Sequence, residues 1–321
     1  MYAGDGETTA MREQVLTGRR AVPRRPSRAI LLMVLTALLS ACSPLRTFNA
    51  IVPKDRGVEA VERGAAYGAH PRQRLDIYRP LRTGRGGAAA EGPLPIILFL
   101  YGGSWQSGAR EGYGFAARAL AARGFVVAVP DYRLVPEIRF PAFLEDGAAA
   151  LRWVSANAGR LGGDPARVVL VGHSAGAYNA AMLALDPRWL GEDRRAVRGL
   201  VGLAGPYDFL PLDGPVTIAA FGGVADPRET QPINFASAGD PPALLLHGAK
   251  DRTVYPRNSE RLGERLREAG VEARVKLYPE IGHVGIVTAL ARPFRGKAPV
   301  LEDVAAFAGE VTARPDARQH R

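Results

Sequence analysis

The chain of 321 residues is 47% hydrophobic and 23% charged, which supports one large domain or two small ones with ample apolar material for a core. Its formal net charge is +10, but the basic residues are dispersed and no basic stripe alternates with aromatic residues, which argues against nucleic-acid binding. The single cysteine excludes a disulfide framework within the chain and a cysteine-rich zinc site.

The first 41 residues have the pattern of a targeting segment. Several arginines lie between residues 19 and 28, and an apolar run from Ala29 to Ala41 follows them. This run is too short to span a bilayer, which takes about 20 apolar residues, and it has the length of the apolar part of a signal peptide. We therefore predict a signal peptide over residues 1–41, with an uncleaved anchor as the alternative.

The apolar run ends in Leu39-Ser40-Ala41-Cys42. This sequence resembles the lipobox of bacterial lipoproteins, in which the cysteine becomes the mature N-terminus and carries acyl chains. The resemblance implies lipidation of Cys42 and stable attachment to a membrane in the bacterial cell envelope. Ser43 follows in place of Asp, which favours the outer membrane in a host that has one.

The next segments are predicted from their periodicity. Residues 42–69 show little periodicity and are predicted to be a tether into the domain. Residues 74–80 alternate between apolar and polar side chains, as expected of an early antiparallel strand. Residues 83–95 are rich in Gly and Ala and are predicted to be an exposed hairpin loop.

A buried strand over residues 96–100 runs directly into Tyr101-Gly102-Gly103-Ser104-Trp105. Paired glycines allow a backbone to approach a substrate closely, although a simple glycine turn would have the same pattern. The position of this segment matches the HGGG-type loop of esterases, with Tyr101 in place of the usual histidine and Ser104 in place of the third glycine.

The segment around Ser174 has the strongest pattern in the chain. Val168–Val171 is predicted to be a buried strand, Gly172-His173-Ser174-Ala175-Gly176 follows it, and residues 177–185 are predicted to be helical. A strand, G-x-S-x-G and a helix in this order are typical of a nucleophile elbow, which holds the serine hydroxyl out of a strained turn. The sequence therefore predicts Ser174 as a nucleophile.

Another motif begins where the predicted strand 125–129 ends, and it reads Asp131-Tyr132-Arg133-Leu134-Val135-Pro136-Glu137. It closely resembles the "DYRLAPE" segment of the hormone-sensitive-lipase and related carboxylesterase families. The similarity continues into a helix that is predicted to reach about residue 158. We interpret Asp131 and Arg133 as ion-pair partners that position the oxyanion loop, not as catalysts.

Two further candidates follow predicted strands in the second half of the chain. The strand 243–246 precedes Asp251, and the strand 271–278 precedes His283. Ser174, Asp251 and His283 lie in the chain order of the α/β-hydrolases. A serine hydroxyl is a weak nucleophile until an imidazole takes its proton, and a carboxylate orients that imidazole. These three residues are therefore the predicted catalytic triad.

Other residues compete for the same roles. His173 and His247 are alternatives for the base, and Asp208 and Asp240 are alternatives for the acid, but each has a less favourable position in the chain. No histidine and carboxylate cluster completes a metal site, and no glycine-rich phosphate loop is present, so we expect no metal and no cofactor.

Together these motifs resemble the α/β-hydrolase carboxylesterases over about residues 75–307. The resemblance implies a mostly parallel sheet with helices on both faces, and an oxyanion hole made by the backbone amides of Gly103, Ser104 and Ala175. The predicted domain covers residues 70–314, with a lid-like insertion at 205–242 and a frayed tail at 315–321.

The implied function is hydrolysis of small carboxylic esters with short acyl chains through an acyl-enzyme on Ser174. The Gly-Gly-x-Trp pattern in the loop after residue 101 also resembles the arylformamidases, so an arylformamidase or a peptidase of the prolyl-oligopeptidase type is an alternative. An inactive binding module of the cell envelope is an alternative from another class.

Overall fold

The structure, a computed structural model, describes residues 44–81 and 92–313. The predicted signal peptide, Cys42 and the predicted tail at 315–321 lie outside the described residues and remain predictions. The described part of the chain forms an eight-stranded sheet with helices on both faces. The predicted mostly parallel α/β architecture is confirmed.

The strands succeed one another in the sheet in the order β1-β2-β4-β3-β5-β6-β7-β8. Strand β2 pairs antiparallel with both β1 and β4. All other neighbouring strands, from β4 across the sheet to β8, pair in parallel. Their bounds are β1 Val58–Ala66, β2 Arg74–Pro80, β3 Leu94–Leu100, β4 Val126–Pro130, β5 Gly163–His173, β6 Val197–Leu203, β7 Ala243–Gly248 and β8 Ala273–Tyr278.

The helices cover both faces of the sheet. They are α1 Pro44–Ile51, α2 Gly114–Ala121, α3 Ala142–Leu161, α4 Ala175–Leu185, α5 Pro187–Leu190, α6 Pro215–Phe221, α7 Arg257–Glu268, α8 His283–Thr288 and α9 Val300–Val311. Short 3-10 turns lie at Arg110–Gly112, Gly191–Ala196, Pro227–Thr230, Pro232–Phe235 and Arg292–Lys297.

The sheet separates two apolar layers because successive side chains of a strand point to opposite faces. On β3, Ile97 and Phe99 belong to the layer that contains α2 and α9, whereas Ile96 and Leu98 belong to the layer that contains α3, α4 and α7. These β3 side chains are fully buried, as expected for a central parallel strand covered on both faces. Because β3, β5, β7 and β8 run parallel, their carboxyl ends lie at the same edge of the sheet.

The tether predicted for residues 42–69 is wrong in its described part. Residues 44–51 form α1, where Phe48 packs edge-on against Phe115 with ring centroids 5.0 Å apart. Residues 58–66 form β1, which pairs with β2 through two register shifts. The side chains of β1 are mostly half-buried and lack strict alternation, so no strand period is visible in the sequence.

The hairpin predicted for residues 83–95 is also wrong. Strand β4 lies between β2 and β3 in the sheet, so β2 and β3 are not neighbours and no hairpin joins them. The strand β3 begins at Leu94, inside the predicted loop. Residues 82–91 lie outside the described residues.

Candidate active site

Ser174, His283 and Asp251 lie together at the carboxyl edge of the sheet. Ser174 follows β5, Asp251 follows β7, and His283 follows β8 and begins α8. The Nε2 atom of His283 lies 2.9 Å from Ser174 Oγ, and its Nδ1 atom lies 2.7 Å from Asp251 Oδ2. The three residues of the predicted triad therefore form one continuous chain of hydrogen bonds.

The backbone at Ser174 has the geometry of a strained turn. Ser174 has φ 53° and ψ −123°, a backbone conformation that residues other than glycine adopt only at a cost of about 1–3 kcal/mol. A Cβ atom at Gly172 would lie 2.2 Å from the Gly176 carbonyl oxygen, and one at Gly176 would lie 2.0 Å from the Leu100 carbonyl oxygen. Both flanking positions therefore require glycine, and the turn presents Ser174 Oγ to His283.

Asp251 fixes the orientation and the tautomer of His283. The Oδ1 atom of Asp251 accepts from the backbone amides of Thr253 (2.8 Å) and Val254 (3.0 Å), which leaves Oδ2 for His283. A carboxylate only accepts, so the proton of the neutral imidazole lies on Nδ1. Nε2 is then free to accept the proton of Ser174 Oγ, as a general base must.

The loop after β3 lies beside the nucleophile. Gly103 has φ 144° and Ser104 has φ 56°, so the loop uses left-handed conformations at consecutive positions. A Cβ atom at Gly102 would lie 2.9 Å from Ser174 Cβ, which shows how closely the loop approaches the elbow. In the described part of the chain the amides of Gly103, Ser104 and Ala175 donate no hydrogen bond, so all three are available to a ligand.

Tyr101, which occupies the place of the usual histidine, anchors this loop through aromatic packing. Its ring stacks between Tyr132 and Tyr113, with centroids 4.8 Å and 5.6 Å away. Its hydroxyl accepts from Arg72 Nη2 at 2.9 Å, and its carbonyl accepts from the Tyr132 hydroxyl at 2.8 Å. The replacement of histidine by tyrosine is thus matched by partners that are distant in sequence.

Asp131 and Arg133 both form ion pairs, as predicted, but not with each other. Asp131 accepts from the Arg110 guanidinium and, at 2.7 Å, from the Arg110 amide, and Arg110 also contacts Asp76 at 2.9 Å. Arg133 contacts Asp146 at 2.8 Å. Arg110 lies just past the oxyanion loop, so Asp76 and Asp131 fix the position of the chain where that loop ends. No local pattern in the sequence identifies Arg110 as their partner.

A hydrogen-bonded relay joins the oxyanion loop to the loop of His283. The Gly102 amide lies 3.2 Å from the Tyr113 hydroxyl, which lies 3.3 Å from His173 Nδ1, and His173 Nε2 lies 3.1 Å from the His283 carbonyl oxygen. Burial lowers the pKa of His173 to about 3, so the ring is neutral. Because a carbonyl only accepts, His173 donates from Nε2 and accepts from Tyr113 at Nδ1.

We expect Tyr113→Phe to lower kcat about tenfold with little change in KM, because the change removes this link while it keeps the ring. The free energy of unfolding should fall by about 1–3 kcal/mol, since the Gly102 amide and His173 Nδ1 lose a buried partner. Steady-state kinetics and urea unfolding check this. A matched Tyr278→Phe variant also loses a buried hydroxyl, one that donates to Asp303 and lies outside the relay. An equal loss of kcat in both variants would contradict a specific role for Tyr113.

The alternative residues have other partners. His247 is buried, with Nδ1 2.8 Å from Ser259 Oγ and Nε2 2.8 Å from the Val254 carbonyl oxygen. Its Nε2 also lies 3.3 Å from Asp251 Oδ2, so it supports the carboxylate from the side opposite His283. Asp208 pairs with Arg261, and Asp240 pairs with Arg194. Neither carboxylate occupies the place of the triad acid.

Two cavities meet at Ser174. The first, which we call the lid cavity, has a volume of about 520 Å³ and is lined by Ser104, Trp105, Ser174, Ala175 and residues of the 205–217 and 253–261 segments. The second, which we call the α1 groove, has a volume of about 460 Å³. It is lined by Pro44, Leu45, Phe48, Gly102, Gly103, Ser104, Ser107, Gly108, Ala109, Gly112, Tyr113, His173, Ser174, Thr253, His283, Val284 and Thr288.

The predicted lid insertion, 205–242, supplies much of the lid cavity's wall. It contains α6 and two 3-10 turns, and Phe221 at the end of α6 packs edge-on against Trp105 with ring centroids 4.8 Å apart. Across residues 44–81 and 92–313, no helix is both long enough and apolar enough to cross a membrane. In the same ranges no three histidine, cysteine or carboxylate side chains are grouped so as to hold a metal ion.

Two comparisons relate this sequence to known enzymes. The chain is 28% identical to the probable isoprenylcysteine alpha-carbonyl methylesterase ICMEL1 of Arabidopsis thaliana over 261 residues, which covers 74% of the chain and 53% of that protein. It is 31% identical to esterase LipC of Mycobacterium tuberculosis over 233 residues, which covers 64% of the chain and 55% of that protein. The chain thus spans little more than half the length of these two relatives.

The fold and the family follow from three further comparisons. Esterase B from Lactobacillus rhamnosis superimposes with a TM-score of 0.71 at 20% identity, over 88% of this chain and 97% of that chain, so the predicted α/β-hydrolase fold is confirmed. The prolyl oligopeptidase family model matches residues 223–313, which include Asp251 and His283. The BD-FAE family model matches residues 75–266, which include the oxyanion loop, Ser174 and Asp251. Since this match covers more than half of the chain, the protein belongs to the BD-FAE family.

Proposed function

We propose that this protein is a serine carboxylesterase that works through an acyl-enzyme on Ser174. The observation that carries the proposal is the continuous chain Asp251–His283–Ser174 at the meeting point of two cavities. It ends beside three backbone amides that donate to no other described residue. A nucleophile, a base, an orienting carboxylate and oxyanion donors are the complete set of groups that acyl transfer requires.

Each step of the proposed reaction uses one or more of these groups. Ser174 Oγ attacks the ester carbonyl carbon while its proton passes to His283 Nε2, and the carbonyl oxygen becomes an oxyanion held by the amides of Gly103, Ser104 and Ala175. The bond to the alcohol oxygen then breaks, and His283 returns the proton to that oxygen. Water repeats the sequence on the acyl-enzyme and releases the acid. Asp251 stays ionised and stabilises the imidazolium in both halves.

We expect activity on p-nitrophenyl esters to fall steeply when the acyl chain exceeds about eight carbons. Trp105 and Phe209 line the lid cavity beside Ser174, but Arg257 and the Asp208–Arg261 ion pair line it too. A longer alkyl chain would have to displace water from these charges, and a filled pocket rejects each extra methylene at ~1–3 kcal/mol. A chain-length series from acetate to palmitate measures this.

A double variant supplies the control for the chain-length series. Replacing the ion pair by Asp208→Leu together with Arg261→Leu should shift the preferred acyl length upwards, because this part of the cavity wall becomes apolar. A wild-type preference for palmitate over butyrate would contradict the short-acyl assignment.

A peptidase is the second candidate, since the prolyl oligopeptidase family model covers the acid and the base. An arylformamidase remains the third, because of the Gly-Gly-x-Trp pattern. All three activities use the same triad, so mutation of Ser174 does not separate them. Parallel assays with an acetate ester, an N-formyl aniline and a proline-containing peptide do, and faster formamide or peptide cleavage would replace the carboxylesterase assignment.

We propose further that the mature protein begins at an acylated Cys42 and is held on a membrane of the bacterial cell envelope. The support is the Leu-Ser-Ala-Cys sequence at the end of a short apolar run. Mass spectrometry of protein from its native membrane fraction should find no residue before Cys42 and a lipid mass on that residue. A Cys42→Ser variant is the matched control and should keep its leader. An intact peptide over residues 30–41 in the wild type would refute the proposal.

A further inference from the structure

We propose that the α1 groove binds the alcohol part of the ester, and that this part is an apolar aryl or alkyl group of several carbons. The inference rests on the proposed esterase function and identifies the alcohol part of the substrate, which the triad itself does not specify. It gives a substrate-binding role to α1, a helix that the sequence does not reveal.

The position of His283 distinguishes the two cavities. His283 has to protonate the alcohol oxygen as it leaves, so that oxygen must lie within hydrogen-bonding distance of Nε2. Among the described residues, His283 and the following residue Val284 line the α1 groove, whereas the lid cavity is lined by Ser174 and Ala175 without the histidine. The alcohol therefore leaves through the α1 groove, and the acyl group lies in the lid cavity.

The lining of the α1 groove selects for apolar alcohols. Leu45, Phe48, Tyr113 and Val284 contribute to its walls, and no Asp, Glu, Lys or Arg is among its described lining residues. Val284 is 52% exposed, which an apolar substrate group would cover. The lid cavity differs in kind, because Arg257 and other charged side chains line it.

The groove offers few hydrogen bonds to a sugar or glycerol. Of its serine and threonine side chains besides Ser174, Ser107 and Thr288 already donate to the Gly103 and Val284 carbonyls, each at 3.1 Å. That leaves the hydroxyls of Ser104 and Thr253 for a sugar or glycerol. A polyhydroxylated alcohol would lose water here and gain few partners. The volume of about 460 Å³ is in the range of ligand pockets and far exceeds what a methyl ester needs.

The test is kcat/KM of the full-length protein for acetate esters that differ only in the alcohol: methyl, butyl, benzyl and glyceryl. All four give the same acetyl-enzyme, so differences arise before deacylation. Benzyl alcohol and methanol have similar acidities, so their ratio reports binding and not leaving-group reactivity. We expect benzyl acetate to exceed methyl acetate by at least tenfold. A benzyl-to-methyl ratio near one in the wild type would overturn the inference.

Matched variants locate the effect. Leu45→Ser and Val284→Ser should each lower the benzyl-to-methyl ratio about tenfold. Val216→Ser, in the wall of the lid cavity, should instead change the ratio of methyl hexanoate to methyl acetate. A change of the alcohol ratio by Val216→Ser alone would also overturn the assignment. No hydrolysis of any ester would refute the esterase function itself, whereas serine-dependent hydrolysis without alcohol preference would refute only this inference.

Discussion

Ser174→Ala should lower kcat about 10⁴-fold or more while the protein stays folded. The hydroxyl is the only protein group in the proposed mechanism that forms a covalent bond to the substrate, and the members of a triad act as a unit. The residual rate should come from the oxyanion amides and from substrate binding alone. Steady-state turnover of a short-chain ester, beside a thermal melt of the same sample, measures both quantities.

A fluorophosphonate supplies an independent measurement of the same residue. The wild type should be labelled at Ser174 and lose activity in proportion, and Ser174→Ala should not be labelled. Ser104→Ala is the matched control, because this serine lines both cavities and its proposed role is that of its backbone amide. Retention of more than a tenth of wild-type activity by pure Ser174→Ala would show that another residue is the nucleophile.

His283→Ala should be nearly as damaging, with a loss of about 10⁴-fold in kcat, because no other imidazole reaches Ser174 Oγ in the described part of the chain. Turnover of His283→Ala is to be compared with that of His247→Ala. The second variant should keep most of its activity per folded molecule, since His247 supports Asp251 from behind and does not contact the serine.

The loss of stability should instead be larger in His247→Ala than in His283→Ala. His247 is fully buried, and its removal leaves the Ser259 hydroxyl and the Val254 carbonyl unpaired, which costs about 1–3 kcal/mol of unfolding free energy. His283→Ala should lose less stability, because the Asp251 carboxylate keeps the Thr253 and Val254 amides and the His247 contact as partners. An inactive, folded His247→Ala beside an active His283→Ala would reverse the assignment of the base.

Features that depend on local backbone geometry could be predicted from the sequence alone. Gly172 and Gly176 must be glycines because any Cβ there meets backbone, so the elbow appears as a motif. The buried parallel strands appear as short apolar runs because both of their faces are covered. Nucleophile, acid and base follow successive strands of one sheet edge, so their chain order predicts that they converge.

The tertiary structure alone decided what depends on partners that are distant in sequence. Strand β4 lies between β2 and β3, and β1 joins the sheet edge without a strand period of its own, because pairing across a sheet leaves no local pattern. Arg110 lies between two carboxylates, and Tyr113 connects Gly102 to His173, only because the chain folds back on itself. The division of the site into a lid cavity and an α1 groove was likewise decided by the tertiary structure, because each cavity is bounded by segments that meet only in the folded protein.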